Sequence, residues 1–464
     1  MSFFLGIDLG TSYFKAGVFD GRGNLRGLGR QVVSKETGEG TVCELPVTVF
    51  WTTLHTTIGE AVKNANIAPG EIRAVSYSSQ ANSFILLDSK DEPLTPLILW
   101  PDKRAEKIEF PLWNLTDNNE FLEKTGLGFS LNSQFAIAKI SWIQNKQPKI
   151  WEQVNSILSI SDYLTFKLTG QKISDVSTAS MTGLLDVTKC RWWNSVLEAF
   201  SIDAGSLFTP QRIGSSVGKL TKTGAQLIGL NSGTSYYLGG LDHHCAAIGS
   251  GITQNNTICE STGTVLSCVG YAHQYDPGMN YCTAPGLSIG QYFQMAFDDN
   301  GALSLEWYQR MFAPDLSISE LLKMAEDVKK GCDGLAAKPC ANKYQGLSGF
   351  KNIKPFHQHG HFIRALLEST SESLFVLSKL LKKTDFSDGV ISTGGGAQST
   401  LWVKIKADKL GIDFYMPECS ETACMGAALI GAVGDGDWGS WNELAESWIR
   451  FKTCLLYTSP SPRD

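Results

Sequence analysis

No two cysteines of this chain stand three residues apart, no run of about 18 apolar residues occurs, and basic residues are not in excess. Each absence excludes a class of protein. The eleven cysteines, scattered from Cys43 to Cys454, are odd in number and unpatterned. Such a set reads as reduced core cysteines, not as a disulfide framework or a zinc site. Lys and Arg number 40 against 46 Asp and Glu, a net charge of −6, which argues against a nucleic-acid or anionic-membrane surface. The start, Met1-Ser2-Phe3-Phe4, has no basic leader region or cleavage site, so a cytoplasmic location is expected. With 464 residues, 42% hydrophobic and 19% charged, the chain has room for two or more domains.

The most informative stretch is the beginning. Phe3 to Ile7 is an apolar run that predicts a buried strand ending on Asp8. Gly10-Thr11-Ser12 supplies a turn, and Lys15 to Phe19 a second strand closing on Asp20-Gly21. A dinucleotide fold or P-loop would run strand, glycine loop, helix, and neither glycine signature occurs in this stretch. Backbone N–H groups and hydroxyls of a Gly-Thr-Ser turn suit phosphate oxygens. Asp8 is placed to hold Mg²⁺, which favours carboxylates and retained waters. The plainer reading is an N-terminal hairpin with an Asp turn.

Further along, Thr52 to Ala65 predicts a helix, Ala74 to Ser79 and Phe84 to Leu87 predict strands, and Pro96 to Trp100 is a buried-type run. Two of these end in hydrogen-bonding clusters, Gln80-Ala81-Asn82 and Trp100-Pro101-Asp102-Lys103-Arg104. Such clusters suit a small polyhydroxylated ligand with a Trp covering its C–H face; the alternative is turn residues and a surface ion pair. Ile137 to Ile143 and Trp151 to Leu158 read as helical, and Ser161 to Gly170 as a capped helix. Tyr236 to Leu241 is a buried strand ending on Asp242-His243-His244, where Asp242 is suited to act as a general base. The two adjacent histidines diverge and are not expected to hold a metal. Ile258 to Val269 repeats the opening pattern around Gly263-Thr264, which suggests two related halves. His361 to Lys382 predicts an amphipathic helix. Gly394-Gly395-Gly396, between a strand and the helix Thr400 to Leu410, lets backbone approach a flat ligand. After Trp438 a helical stretch is expected as far as Cys454. Leu455 to Asp464, with Pro460 and Pro462, has no period and reads as a non-native tail that does not pack.

Together these stretches, from Phe3 to Trp438, resemble the FGGY carbohydrate kinases of the actin, hexokinase and chaperone-ATPase superfamily. The resemblance implies an α/β fold of two ribonuclease H-like (actin/hexokinase-type) domains around a central cleft. Residues 1–247 would form the sugar-binding domain, residues 248–454 the nucleotide-binding domain, and residues 455–464 the tail of a C-terminally truncated chain. The family's closing helices would then be missing, leaving Trp441 to Phe451 uncovered. The implied activity is ATP-dependent phosphorylation of a ketose, foremost a pentulose, with Asp242 as base. Polyol kinases of the erythritol or glycerol type, hexulose kinases and a non-catalytic nucleotide-binding regulator are the alternatives. Gln80, Ala81, Asn82, Trp100, Asp102, Arg104 and Asp242 fall on the sugar motifs. Thr11, Ser12, Lys15, Gly263, Thr264, Gly301, Gly394, Gly395, Gly396 and Ser399 fall on the nucleotide side, with Asp8 for Mg²⁺. Sugar and ATP are the expected small-molecule partners, a homodimer is the candidate assembly, and no nucleic acid or membrane partner is expected. The chain departs from xylulose kinases at Ala81-Asn82, where they carry Met-His, and it lacks the family's Gly-Glu-Arg between Gly334 and Gly360.

Overall fold

The computed structural model describes residues 2–38, 41–106, 119–252, 258–381, 389–436 and 440–455, the last three without their side chains. The chain divides into two units. The first comprises Met1–Thr253, Ala272–Phe293 and Glu421–Ile449; the second comprises Gln254–Tyr271, Gln294–Ser420 and Arg450–Asp464.

In the first unit the opening hairpin is as expected. The strand Phe3–Leu9 pairs antiparallel with Tyr13–Asp20, which pairs in turn with Leu25–Val32. On its other side Phe3–Leu9 runs parallel to Ile72–Ser79, and both Ser235–Tyr237 and Gly240–Leu241 join that strand in parallel. Side chains alternate across a sheet, and each face is covered. Leu5, Ile7 and Leu9 share one apolar cluster with Phe50, Leu54 and Ile58 of the helix Val47–Ala65. That helix follows Pro46 and ends where Asn66 turns left-handed at φ 54°.

The opposite face receives the helix Thr422–Gly434, packed so closely that a Cβ built on Gly6 would lie 1.9 Å from the Cys424 carbonyl oxygen. The same helix meets Asp242–Gly249 through small residues: a Cβ on Gly426 would lie 1.9 Å from the Cys245 carbonyl. Backbone cannot yield there as a flexible side chain would. Gly426→Ala is therefore expected to destabilise the protein by about 1–3 kcal/mol, read as a lower denaturant midpoint with an unchanged slope.

A second sheet of this unit carries Glu36–Thr37, Cys43–Leu45, Leu97–Ile98, Phe84–Leu87 and Ser156–Ser159 in that order. Its last strand corrects one expectation. Trp151 to Leu158 is not helical: a short helix, Pro148–Trp151, gives way to Ser156–Ser159 paired antiparallel with Phe84–Leu87. The apolar spacing there is short enough for either state, and a partner strand distant in sequence decides it.

In the second unit, five strands lie in the order Leu266–Ala272, Ile258–Thr262, Val390–Thr393, Phe414–Pro417 and Phe451–Leu455. Beside them an apolar cluster forms around the helix His359–Leu380, with Leu305, Tyr308, Phe350, Phe362, Leu366 and Trp402.

Two expectations for the C-terminal region need correction. The helix Trp441–Trp448 is not uncovered: Trp448 is 2% exposed, and its ring stacks on Phe19 and tilts against Phe4 within the first unit. Beyond it the chain is not helical to Cys454. It becomes the strand Phe451–Leu455, in which Leu455, the first residue of the expected unpacked tail, pairs with Phe414. Residues 456–464 lie outside the described residues. Among the described residues no helix is long and apolar enough to cross a membrane.

Candidate active site

Sheet register aligns the acidic residues of the first unit. Asp8 stands opposite Ser78 on the neighbouring strand, and Ser78 stands opposite Gly240 on the next, two residues before Asp242. Ser78 Oγ donates to Asp8 Oδ1 at 3.0 Å. Burial raises the Asp8 carboxyl to about 7; Lys15 pulls it back, while the charges of Asp242 and Glu421 push it further up. Lys15, opposite Asp8 in the hairpin, donates to Glu421 Oε2 at 2.6 Å. Burial disfavours its charge, but the Glu421 carboxylate outweighs that and holds the ammonium above its ordinary value.

Asp242 opens the helix Asp242–Gly249, where its Oδ1 accepts from the His243 N–H at 2.7 Å. Its approach is fixed from behind. Ser177 Oγ accepts from the Leu241 N–H at 3.0 Å and bonds His244 Nδ1 at 2.8 Å. His244 is buried, stacked on Phe293 at 4.5 Å, and burial lowers it to about 3, so it stays neutral. It serves packing and orientation. Among the described residues no group of three or more His, Cys, Asp or Glu side chains gathers as a metal centre.

The turn residue Thr11 meets both expected sugar motifs. Trp100 Nε1 donates to Thr11 Oγ1 at 2.7 Å, and Thr11 Oγ1 donates to Gln80 Oε1 at 3.3 Å. Gln80 also accepts from Ser83 Oγ at 2.8 Å and donates through Nε2 to the Leu9 carbonyl at 3.3 Å. Ala81 is half-buried beside it, and Ser12 is exposed. Asn82, at φ 60°, donates through Nδ2 to the Met181 carbonyl at 3.1 Å and accepts at Oδ1 from the Ala136 N–H at 3.0 Å. Its amide thus ties the short helix Ser180–Thr182 to the start of the helix Ala136–Lys146.

Asp102 is fully buried, with Cys43 N donating to Oδ2 at 2.7 Å and Arg104 Nε to Oδ1 at 2.8 Å; Arg104 also bridges to Glu44. Burial alone would raise the Asp102 carboxyl, but the Arg104 hydrogen bonds prevail and hold it below its ordinary value. Asp102 and Arg104 therefore shape the loop that presents Trp100.

Sequence reasoning missed the group beneath that loop. Lys139 is buried, with its ammonium donating to the carbonyls of Leu99 at 3.1 Å, Trp100 at 3.2 Å and Gln134 at 3.0 Å. Burial lowers it to about 7. The signal available was a lone lysine inside the apolar run Ala136-Ile137-Ala138-Lys139-Ile140.

The second unit gathers the remaining residues expected on the nucleotide side. Gly263-Thr264 is the turn between Ile258–Thr262 and Leu266–Ala272. The Ala302 N–H, next to Gly301, donates to the Gly263 carbonyl at 2.8 Å. Gly394 has φ 75°, and a Cβ there would lie 2.9 Å from Ser261 Oγ. Gly395 and Gly396 continue this turn, and Ser399 caps the helix Thr400–Leu410 through the Trp402 N–H. The two motifs of this unit are thus one contiguous surface. A cavity of about 980 Å³ elsewhere in the unit, bordered by Tyr308, Phe312, His357, His359, His361 and Phe362 among others, includes none of the site residues expected from sequence.

Repeated Gly-Thr hairpins, each flanked by a parallel strand, define an actin-like α/β sugar-kinase fold. The match to family models is direct. Residues 3–249 match the N-terminal domain of the FGGY family of carbohydrate kinases, and residues 341–434 match its C-terminal domain. The chain belongs to the FGGY family of carbohydrate kinases. It is 29% identical to the xylulose kinase of Lactococcus lactis subsp. lactis (strain IL1403) over an alignment of 486 residues, covering 99% of this chain and 93% of that protein. It is 25% identical to the gluconokinase of Bacillus subtilis (strain 168) over 472 residues, covering 96% and 90%. The ligand-bound xylulose kinase structure from Lactobacillus acidophilus superposes with a TM-score of 0.89 at 21% identity, covering 99% of this chain and 94% of that one.

Proposed function

We propose that this chain transfers the γ-phosphoryl group of ATP to a hydroxyl of a small ketose, foremost a pentulose such as D-xylulose, with Asp242 as general base. The carrying observation is the alignment of Asp8, Ser78 and the Asp242 strand end, with Thr11, Gln80 and Trp100 bonded together in the same unit. The similarity to xylulose kinases of 24–29% identity over nearly the whole chain supports a pentulose. Asp242 takes the hydroxyl proton as the sugar oxygen attacks phosphorus; the P–O bond to the β-phosphate breaks, and ADP leaves. Phosphoryl transfer is loose in its transition state, so positioning and charge neutralisation carry most of the rate gain.

Asp8 is the residue that would hold Mg²⁺: its carboxylate accepts from Ser78 Oγ and lies beside the strand end that leads into Asp242. When bound, the ion would neutralise phosphate charge. Thr11, Ser12 and Lys15 are the nucleotide-side residues proposed for the first unit; Gly263, Thr264, Gly301, Gly394, Gly395, Gly396 and Ser399 are those proposed for the second. The reaction is assigned to the cytoplasm, with no nucleic-acid partner, and the assembly to be weighed by light scattering is a homodimer.

The test is product identification by phosphorus NMR with ATP and D-xylulose, D-ribulose, D-gluconate, erythritol or glycerol. A ketose phosphate ester is expected, formed with Mg²⁺ and abolished by EDTA. A gluconate or polyol ester without any ketose ester would overturn the substrate class.

A further inference from the structure

Beneath the Gly263-Thr264 turn lies an ion pair closed off from solvent. Lys406, on the helix that follows the triple glycine, and Glu260, on the strand that leads into the turn, both have side chains 0% exposed. Lys406 Nζ donates to Glu260 Oε1 at 2.7 Å and to Thr262 Oγ1 at 2.8 Å, and Thr262 Oγ1 donates to Glu260 Oε2 at 2.7 Å. Ser392, on the parallel strand, also donates to Glu260 Oε1. Lys406 Nζ stands 5.2 Å from the centre of the Trp402 ring. A Cβ on Gly396 would meet Thr262 Cβ at 2.7 Å and Lys406 Nζ at 3.4 Å, so the same ammonium supports the underside of the triple-glycine turn.

Burying two charges costs several kcal/mol per ion, and well-packed apolar residues of similar volume often serve stability as well or better. A core position needing only stability has no use for this pair. What it supplies is direction: Thr262 is locked by one donated and one accepted hydrogen bond immediately before Gly263. The backbone N–H groups of the turn inherit that orientation.

We infer that Lys406 and Glu260 are positioning residues that act through Thr262 and Gly396 to hold the two nucleotide-side turns of the second unit in one fixed arrangement for the phosphates of ATP. This rests on the reading of Gly263-Thr264 as a phosphate turn.

Thr262→Val removes the linking hydroxyl at nearly constant volume, and Lys406→Met with Glu260→Met removes both charges together. For both variants KM for ATP is expected to rise about tenfold or more, while KM for the sugar stays within twofold. The double variant is expected to keep a melting temperature near wild type, whereas Lys406→Met alone loses stability by leaving Glu260 buried without its partner. If Thr262→Val has wild-type KM for ATP, the inference is overturned, whatever the double variant does. Should both variants raise KM for sugar and ATP equally, the pair serves general packing and the inference is again overturned. Thr264→Val is the control for the underlying reading: an unchanged KM for ATP there would show that the turn itself does not meet the nucleotide, independently of the outcome at Thr262.

Discussion

Asp242→Asn is expected to lower kcat by about 10²–10⁴ with ATP affinity unchanged. The substitution keeps the shape of the side chain and its acceptor for the His243 N–H, so the start of the Asp242–Gly249 helix is preserved. What it removes is a group able to take a proton. The surroundings of Asp242 hold it in place. Ser177 and neutral His244 fix the Leu241 backbone immediately before Asp242, and the strand leading into it pairs at Gly240 with Ser78, which stands opposite Asp8. Because the loss falls on kcat, KM for the sugar should change by much less, which separates loss of the base from loss of binding. Turnover at the wild-type rate would remove Asp242 from the reaction.

The second large effect is expected at Asp102, and it is first a matter of stability. Asp102→Ala takes the acceptor from the Cys43 N–H and from Arg104, whose side chain is 8% exposed. Breaking one side of such a buried pair costs about 3–5 kcal/mol, and the remaining Glu44 contact places this case at the low end. The Trp100-to-Arg104 loop should loosen, so KM for the sugar rises while KM for ATP does not. Denaturant unfolding and paired substrate titrations read the two effects separately. A stable variant with a selective rise in sugar KM would instead make Asp102 a direct ligand of the sugar.

Much of this was legible in sequence because local chemistry and tertiary structure agree. Phe3 to Ile7, the Gly10-Thr11-Ser12 turn and Lys15 to Phe19 form the expected hairpin because each strand is apolar enough to be buried and the turn residues suit their place. Thr400–Leu410 lies within its expected bounds, capped by Ser399 and stopped by Gly411 in the left-handed region. Asp242 at a strand end followed by a small-residue helix was visible for the same reason.

What escaped the sequence reading depends on partners far along the chain. Ser156–Ser159 is a strand only because Phe84–Leu87 offers it an edge. Trp448 is covered only because Phe4 and Phe19, more than 400 residues earlier, receive it. The anchoring of Asn82 comes from the Met181 carbonyl and the Ala136 N–H, neither adjacent in sequence. Lys139 and Lys406 drew no reading from sequence, because the three carbonyl acceptors of one and the buried carboxylate of the other come from elsewhere in the chain.

The most direct measurement is the initial rate of ADP release by the purified full chain with Mg²⁺ and ATP, in the presence and absence of each ketose. Strong stimulation by at least one small ketose, with ADP and sugar phosphate formed in equal amounts, is the predicted result. Tight ATP binding with an ADP release rate that no sugar or polyol changes would contradict it and leave a nucleotide-binding protein without transfer activity.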